Sequence, residues 1–326
     1  GKRTLVAGNI GVPLVAAVED YHPEDVVVAE VSSFQLETTA LFQPRVAVIL
    51  NVTPDHLDRH RTMTAYAAAK ARVFANQTED DTTVLNADDP VVAAMKEASR
   101  ARVLFFSRRH NLETGAFVQR GMVVVKQEGG TDEVCEARAI RIPGAHNLEN
   151  ALAATAAAAA LGVPASVIGK VLREFPGVAH RLEFVMEIDG VRYVNDSKGT
   201  NPDAAIKALE AYRRPVVLIA GGRNKGSDFG SFAKKMRGKV RALVVLGESA
   251  AQITAAARAA GVRPIFQAAG LEEAVYLARE AARPGDVVLL SPACASWDMF
   301  GSYEERGELF KKTVRKMAGQ KDAVPK

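Results

Sequence analysis

Strand-length apolar runs alternate with helical stretches through the first half of the chain. The runs cover residues 25–31, 45–52, 82–88 and 102–107, and a helical stretch covers residues 64–75. Continuous runs of β-branched residues are typical of strands that are buried on both faces of a parallel sheet. We therefore expect the run at 25–31 to be covered on both faces.

A different pattern follows at residues 116–142, where apolar and polar residues alternate around Gly129 and Gly130. Alternation of this kind predicts an antiparallel hairpin. Helical stretches at 147–161 and 164–174 come next. The first half is therefore predicted to be a mainly parallel sheet with helices and one small hairpin.

The segment "EFPGVAHR" at residues 174–181 contains proline and glycine. These two residues commonly interrupt regular structure, so the segment is predicted to be a linker between two domains. We place the first domain at residues 1–178 and the second at residues 179–326.

The second half repeats a strand–helix unit. Its apolar runs are "RPVVLIAGG", "RALVVLGE", "VRPIFQ" and "GDVVLLSPA", separated by amphipathic stretches at 228–238, 249–261 and 271–283. This rhythm predicts a parallel, Rossmann-like sheet, and the whole chain is assigned to the α/β class. In such sheets ligands bind beyond the carboxyl ends of the strands. Polar clusters stand at those ends, after Val31, Leu50, Val194, Ala220 and Leu290.

Composition narrows the class of protein. The chain has 326 residues, of which 48% are hydrophobic, enough for two packed domains of about 150 residues each. Its two cysteines, Cys135 and Cys294, are far apart, which argues for a reducing compartment. The net charge of +4 is mild and its lysines and arginines are dispersed, so no nucleic-acid partner is expected. No apolar run reaches the about 20 residues that span a membrane.

Two acidic motifs in the first half are candidates for a cation site. Glu30 stands in an apolar strand before two serines, where it needs either a salt bridge or a bound cation. A second strand is followed by Asp55, His56, Asp58 and His60, a set that suits a divalent cation beside phosphates. The alternative for this second motif is a helix start capped by Thr53 or Asp55 with Pro54 in the first turn, and both can hold at once.

Two helices in the first half carry further candidates. Lys70 lies on an alanine-rich helix, where it is either a solvated surface lysine or an amine that binds CO₂ to become a metal-binding carbamate. Asn147 and Asn150 follow His146 at the start of another helix, on one face because they are three residues apart. Capping of that helix is their alternative role.

The second half offers polar groups for anionic ligands. Arg181 at the domain junction could reach a phosphate. The stretch "VNDSKGTNPDA" places Asp196, Lys198 and Thr200 on one strand-to-helix turn, and a glycine-rich loop at 221–229 exposes Lys225. Ser291 and Ser296 precede a helix amino terminus, which suits a carboxylate.

The phosphate-binding motif G-x-x-x-x-G-K-[ST] does not occur in the sequence. The chain begins with Gly1 and soon enters the strand-like "TLVAG". We therefore expect an amino-terminal portion to be missing, and we expect a nucleotide site in residues 1–326 to lack its main phosphate-binding loop.

Taken in order, these motifs resemble the Mur ligase family, and within it the branch that adds D-glutamate. The matching stretches are "AGNIG", "EVSSFQLE", "NVTPDHLDRH", "AAKARVF", "HNLENALAA", "HRLE", "NDSKGTNPDA", "GGRNKGSDF" and "LSPACASWDMF". The resemblance implies a truncated central ATPase domain followed by a Rossmann-like amino-acid-binding domain. The family's UDP-binding domain and P-loop would be absent, so we expect residues 1–326 alone to have no ligase activity.

The resemblance also implies a reaction. The carboxylate of UDP-N-acetylmuramoyl-L-alanine is phosphorylated by ATP, D-glutamate attacks the acyl phosphate, and Mg²⁺ neutralises the phosphates during peptidoglycan precursor synthesis. The resemblance implies that these small molecules are the only partners. It also implies a cytoplasmic enzyme that works as a monomer. Alternatives are another ligase of the superfamily, such as a folylpolyglutamate synthetase, or a non-catalytic nucleotide-binding relative.

Site residues follow from the same resemblance, position by position. Glu30, His56 and a carbamylated Lys70 would bind magnesium, with Asn9 beside the reacting carboxylate. Positions near ATP are Asn147, Asn150, Arg181 and Asp196. Positions on the D-glutamate side are Lys198, Thr200, Lys225, Ser296, Trp297 through its backbone, and Tyr303, and the catalytic set is Asn9, His56 and Lys198.

Overall fold

Helices and three β-sheets build the part of the chain that the computed structural model describes, residues 2–9, 12–17, 21–53 and 56–321. Contacts divide the molecule into two units. The first comprises the described residues up to Ala139 together with Glu149–Arg173, and the second comprises Ile140–Leu148 and the described residues from Glu174 onward. The α/β prediction is confirmed, because helices alternate with mainly parallel strands in both units.

The first unit contains two separate sheets. Strands β1 (Thr4–Gly8) and β2 (Val26–Glu30) form a parallel pair. A six-stranded sheet follows in sequential order, parallel from β3 to β6 and antiparallel from β6 to β8. Its strands are β3 (Val46–Ile49), β4 (Thr82–Asn86), β5 (Arg102–Ser107), β6 (Gly115–Gln119), β7 (Met122–Gln127) and β8 (Gly130–Glu136).

Seven α-helices are described in this part of the chain. They are α1 (Leu14–Ala17), α2 (Ser33–Glu37), α3 (Leu57–His60), α4 (Met63–Ala71), α5 (Pro90–Ala94), α6 (Ala145–Ala160) and α7 (Ala165–Glu174). Their starts obey local chemistry: Ser32 forms a capping box with Gln35 at α2, and Thr62 caps α4 through the Ala65 amide. The predicted helix at 64–75 is α4 extended by the 3₁₀ turn Arg72–Phe74.

The expectation that residues 25–31 are covered on both faces is wrong. Strand β2 pairs with β1, and Val27 and Val28 are 46% and 53% exposed. The apolar run marks a strand correctly, but a sheet of two strands leaves these valines without a covering layer among the described residues. Glu30 is accordingly exposed, so its carboxylate is not the buried charge that the sequence indicated.

The predicted single hairpin at 116–142 is a three-stranded meander. The pair β7–β8 turns at Gly129 as predicted, but β6 pairs with β7 through a second two-residue turn, Arg120-Gly121. Both residues of that turn have positive φ, 50° and 82°, which is the conformation of a type I′ turn. Arginine is an unusual residue for its first position, so the turn has no clear sequence signal.

The second unit is a six-stranded sheet in the order β13-β12-β11-β14-β10-β9. All its pairs are parallel except the hairpin of β9 (Glu183–Ile188) and β10 (Val191–Asn195). The other strands are β11 (Val216–Gly221), β12 (Val240–Leu246), β13 (Ile265–Gln267) and β14 (Val287–Leu290). Its helices are α8 (Pro202–Glu210), α9 (Gly230–Met236), α10 (Ala250–Ala259), α11 (Leu271–Ala281) and α12 (Tyr303–Lys321).

This second sheet is covered on both faces. Along β11, Val216, Leu218 and Ala220 join one hydrophobic cluster, while Val217 and Ile219 join the other. Alternate side chains therefore serve opposite layers, as the pleat requires. Each fully buried aliphatic side chain contributes about 1.5–3 kcal/mol, so this core holds the strand ends rigidly in place. Among the described residues, no helix has the length and apolar character needed to cross a membrane.

Candidate functional site

Three loops of the second unit meet at the carboxyl ends of adjacent strands. They follow β10, β11 and β14, and β14 lies between the other two. Backbone hydrogen bonds join the loops: Ala293 N donates to Gly199 O at 2.9 Å, and Arg223 and Ala295 exchange a pair at 2.9 and 3.0 Å. Gly222 permits this close approach, because a Cβ there would lie 2.2 Å from the Ala295 oxygen. The loops therefore form one surface.

The predicted D-glutamate residues lie on these loops. Lys198 and Thr200 follow β10, exposed Lys225 follows β11, and buried Ser296 follows β14. Trp297 is 62% exposed, and Tyr303 begins α12. Lys198 Nζ stands 5.6 Å from the centre of the Tyr303 ring, a cation–π arrangement that keeps the ammonium over this surface. Two lysines and a serine hydroxyl here can bind a dicarboxylate.

The crowded turn after β10 is mostly buried structure. Asn195, Asp196 and Ser197 are buried, whereas Lys198 and Thr200 are partly exposed. Asn195 Nδ2 lies 3.1 Å from His180 Nδ1 and donates to Glu183 Oε2 at 3.0 Å. The polar residues of this turn therefore divide into an anchored, buried half and a partly exposed half.

Asp196 is held by two donors of its own unit. Its Oδ1 accepts from Leu182 N at 3.2 Å, and its Oδ2 accepts from Ser291 Oγ at 2.7 Å. Burial raises the pKa of this carboxyl to about 6, and these two donors oppose the rise. Each oxygen keeps a second lone pair, and a hydrogen bond from a nucleotide would have to use one of these two lone pairs.

We expect the stability of the Asp196→Asn variant, measured relative to the parent, to be higher at pH 8 than at pH 4. Because the folded-state pKa is above the unfolded value, stability from the neutral carboxyl is present near pH 4 and is lost as the pH rises through about 6. The variant has no such loss, so it should gain about 1–3 kcal/mol on the parent between pH 4 and pH 8. Urea unfolding followed through Trp297, the sole tryptophan, measures this. An equal difference at both pH values would contradict it.

Arg306 is the largest fully buried side chain of the second unit, 1% exposed. Its guanidinium donates to Ser197 Oγ at 2.9 Å, to Ser197 O at 2.8 Å and to Cys294 O at 3.3 Å. It thereby ties the loop after β10 to the loop after β14. Burial lowers its pKa to about 10, which leaves it charged at neutral pH.

In the first unit the structure brings Asn9 and Glu30 together. Gly8 pairs with Glu30 at the carboxyl ends of β1 and β2, and Asn9 Nδ2 donates to Glu30 Oε1 at 3.0 Å. Gly8 has φ 109°, and a Cβ there would lie 2.3 Å from the Glu30 carbonyl oxygen. The glycine thus allows the amide and the carboxylate to stand side by side.

His56 and Lys70 share an aromatic neighbour. The Tyr66 ring centre is 6.4 Å from the His56 ring, and Lys70 Nζ stands 5.0 Å from the centre of the Tyr66 ring, one turn along α4. His60 is buried and also packs against the Tyr66 ring. Pro54 and Asp55, assigned above to a helix start or cation site, lie outside the described residues, as does the side chain of Asp58.

The start of α6 carries the predicted asparagines. Asn147 is buried and donates through Nδ2 to Pro143 O at 2.7 Å, a local bond in which its amide is the donor and not a cap acceptor. Asn150 is one turn further along and half-buried. Arg181 is exposed just before β9. No described contact of these residues defines a nucleotide pocket.

The donor set in the first unit fits magnesium. In the described ranges, no three His, Cys, Asp or Glu side chains cluster as a metal centre. Magnesium binds mostly through one or two carboxylates, waters and nucleotide phosphates, so a dense protein cage is not required. Glu30 offers an exposed carboxylate, and Oε2 takes no part in the bond from Asn9.

The sequence interpretation missed Arg306, Asn195 and His180. Arg306 had a usable signal: it precedes Phe310 and Val314 at four-residue steps, so it lies on the buried stripe of α12. Asn195 and His180 carried no such pattern. Their buried contact joins segments 15 residues apart, which spacing along the chain does not reveal.

Comparison with known families gives two matches in chain order. Residues 4–158 match the Mur ligase middle domain, and residues 180–294 match the glutamate ligase domain of Mur ligases. Together these models cover most of the chain.

Curated relatives align over nearly the whole chain. A UDP-N-acetylmuramoylalanine–D-glutamate ligase of Pelotomaculum thermopropionicum is 63% identical over 314 residues, which is 96% of this chain and 69% of the relative. The ligase of the same name from Thermoanaerobacter sp. is 51% identical, over 97% of this chain and 70% of the relative.

Solved structures share the fold at low identity. MurF from Acinetobacter baumannii superposes with a TM-score of 0.67 at 18% identity, covering 97% of this chain and 76% of that one. MurF from Thermotoga maritima in complex with ADP gives 0.65 at 18% identity, covering 97% and 81%. At this identity the likeness concerns the fold alone.

Proposed function

This chain belongs to the Mur ligase family, and from that premise we propose that it adds D-glutamate to UDP-N-acetylmuramoyl-L-alanine. It is an ATP-dependent ligase of peptidoglycan precursor synthesis that forms a carbon–nitrogen bond. The observation that carries the choice of amino acid is the loop surface of the second unit. Lys198, Lys225 and Ser296 there suit a substrate with two carboxylates.

The reaction proceeds in two transfers. A carboxylate oxygen of the nucleotide sugar attacks the γ-phosphorus of ATP, and ADP leaves. The amine of D-glutamate then attacks the acyl carbon, loses a proton, and the acyl–oxygen bond breaks to release phosphate. Because anions must meet, catalysis depends mainly on positioning and charge neutralisation.

We propose the following division of labour. Residues 1–178 form the ATP-binding domain, which contributes Asn147 and Asn150 to nucleotide binding. Arg181 and Asp196, also assigned to the nucleotide, belong to residues 179–326. Glu30, His56 and a carbamate on Lys70 would hold magnesium, which when bound would offset the phosphates' negative charge. Asn9 lies beside Glu30 and orients the reacting carboxylate.

The amino acid is assigned to residues 179–326. Lys198 and Lys225 attract its carboxylates, and Thr200 and Ser296 offer hydroxyl donors. The Trp297 backbone and the Tyr303 ring border the same surface. We also propose that the enzyme works as a cytoplasmic monomer, and the two free, buried thiols Cys135 and Cys294 support a reducing compartment.

An amino-acid panel tests the proposed substrate. The full-length protein is given ATP, Mg²⁺, UDP-N-acetylmuramoyl-L-alanine and one amino acid at a time, and phosphate and the coupled product are measured. We expect turnover with D-glutamate and none with L-glutamate, L-lysine or meso-diaminopimelate. Turnover of L-glutamate on a pteroyl substrate would instead indicate a folylpolyglutamate synthetase, and no ADP with any acceptor would indicate a non-catalytic relative.

Lys225→Ala should raise KM for D-glutamate at least about tenfold, since a charge-assisted bond contributes about 1.5–3 kcal/mol. Lys235→Ala is the matched control, because Lys235 lies on α9 and pairs with Glu210 at 2.7 Å. It should leave KM unchanged. Equal KM values for the parent and both variants would remove Lys225 from the site.

A further inference from the structure

A buried histidine joins α2 to α3 in the first unit. Ser33 and Glu37 are four residues apart and share one face of α2. The ring of His60 lies against that face, with Nε2 3.0 Å from Ser33 Oγ and Nδ1 3.3 Å from Glu37 Oε1. Its side chain is 3% exposed. These three residues form a continuous polar chain, the Ser33–His60–Glu37 chain.

The protonation of this chain follows from its neighbours. Arg59 Nε donates to Glu37 Oε2 at 3.2 Å, and this bond lowers the pKa of the Glu37 carboxyl. An ionised carboxylate only accepts, so Nδ1 of His60 donates to Glu37, while Nε2 and the Ser33 hydroxyl share the second hydrogen bond. Both ring nitrogens are engaged inside the protein. The expectation that His60 takes part in a cation site is therefore wrong.

The faces of the His60 ring are engaged as well. Phe34 stacks on it with ring centres 5.6 Å apart and planes 6° from parallel, and Tyr66 packs at 5.1 Å. These same two rings contact His56, at 4.8 Å for Phe34 and 6.4 Å for Tyr66. Tyr66 also lies under Lys70. The ring of His60 thus sets the position of both rings against which His56 rests.

We propose that His60 is a positioning residue for the metal-binding groups His56 and Lys70. The two in-plane hydrogen bonds of the Ser33–His60–Glu37 chain fix the rotation of the imidazole. The fixed imidazole then holds Phe34 and Tyr66, and through them the His56 ring and the Lys70 amine. Outer partners of this kind commonly determine how well a metal ligand is oriented. This inference rests on the proposed function, in which His56 and Lys70 bind magnesium.

Three variants of the full-length protein test it: Glu37→Ala, which removes the acceptor of the Nδ1 hydrogen bond, His60→Ala and His60→Gln. The Mg²⁺ concentration for half-maximal turnover should rise about 10- to 100-fold in Glu37→Ala and His60→Ala. At saturating Mg²⁺ their kcat should recover to within about threefold of the parent, since only metal binding is weakened. His60→Gln should be affected less, because its amide can still donate to Glu37 and accept from Ser33.

Binding of Mn²⁺ in the presence of ADP, measured by electron paramagnetic resonance, provides a readout without turnover. The same order of variants is expected. Glu136→Ala is the matched control, because Glu136 pairs with exposed Arg138 at 2.6 Å in the same unit. A purely structural role would lower the unfolding temperature and the active fraction while leaving the Mn²⁺ affinity of the folded protein unchanged.

Parent-like Mn²⁺ affinity and Mg²⁺ dependence in Glu37→Ala would overturn the positioning role. This variant decides even where His60→Ala does not fold, because Glu37 is partly exposed and its substitution leaves the ring packing in place. A parent that turns over D-glutamate beside unaffected variants overturns this inference alone. A parent that neither turns over nor binds Mn²⁺ overturns the proposed function with it.

Discussion

Lys70→Ala in the full-length protein should lower kcat/KM about a thousandfold, the equivalent of about 4 kcal/mol of lost transition-state stabilisation. The proposed carbamate forms when the neutral Lys70 amine attacks CO₂ and loses a proton, turning a cation into an oxygen ligand. Its position one turn from Tyr66 places Nζ 5.0 Å from that ring, on the side of α4 that His56 also approaches. Alanine removes the ligand and leaves the helix intact.

Added formate or acetate should restore part of the activity of Lys70→Ala, because a small carboxylate can occupy the space of the carbamate. Lys70→Arg should stay inactive and should not be rescued, since arginine keeps the positive charge and forms no carbamate. Lys96→Ala, which removes an exposed lysine of the same unit, is the control and should behave as the parent. Initial rates at saturating ATP, with and without 50–200 mM carboxylate (on the order of the concentrations such weak binding requires), measure the effect. Normal turnover by Lys70→Ala would remove the carbamate from the mechanism.

Strand positions were predictable from the sequence because the strands in the cores of both units are formed by continuous apolar runs. The run at 102–107 is β5 residue for residue, and the strand ends after Val194, Ala220 and Leu290 carry the loops that meet in the second unit. Parallel strands bring their carboxyl ends to one edge, so polar residues at those ends predict a site without knowledge of strand order.

The division of labour within a loop was not predictable in this way. Asp196 and Lys198 are two residues apart in one polar turn, yet one is buried beneath Ser291 and the other faces Tyr303. The difference arises from partners about a hundred residues away in sequence. Spacing along the chain contains no information about such partners.

Two predictions for the first unit are wrong for the same physical reason. Val27 and Val28 belong to a correctly predicted strand but lack a covering layer among the described residues, and His60 belongs to a correctly noted cluster but turns both nitrogens inward. A hydrophobic run in the sequence predicts a strand, and a histidine in the sequence is a potential metal ligand. What covers the strand and what binds the imidazole are decided by tertiary contacts.

Arg306→Ala should destabilise the second unit by about 3–5 kcal/mol. The change leaves the Ser197 and Cys294 carbonyl oxygens without their buried donor, at about 1–3 kcal/mol each, and it opens a cavity in place of the fully buried Arg306 side chain. The cost of burying the charge, which lowers the Arg306 pKa to about 10, is relieved and offsets part of this loss. Two unsatisfied carbonyls and a cavity outweigh that relief.

Arg315→Ala is the matched control, because Arg315 lies on the exposed side of the same helix and should change stability by less than about 0.5 kcal/mol. Urea unfolding followed through Trp297 reports the second unit directly. Because Arg306 joins the loops that carry Lys198 and Ser296, Arg306→Ala should also bind D-glutamate more weakly than the parent when both are folded, at low temperature and without urea. Arg306→Lys separates charge from geometry: lysine keeps the charge but cannot span Ser197 and Cys294 with a planar fork, so it should recover only part of the stability. Full recovery with lysine would mean that charge, rather than the three-way hydrogen bonding, holds the two loops together.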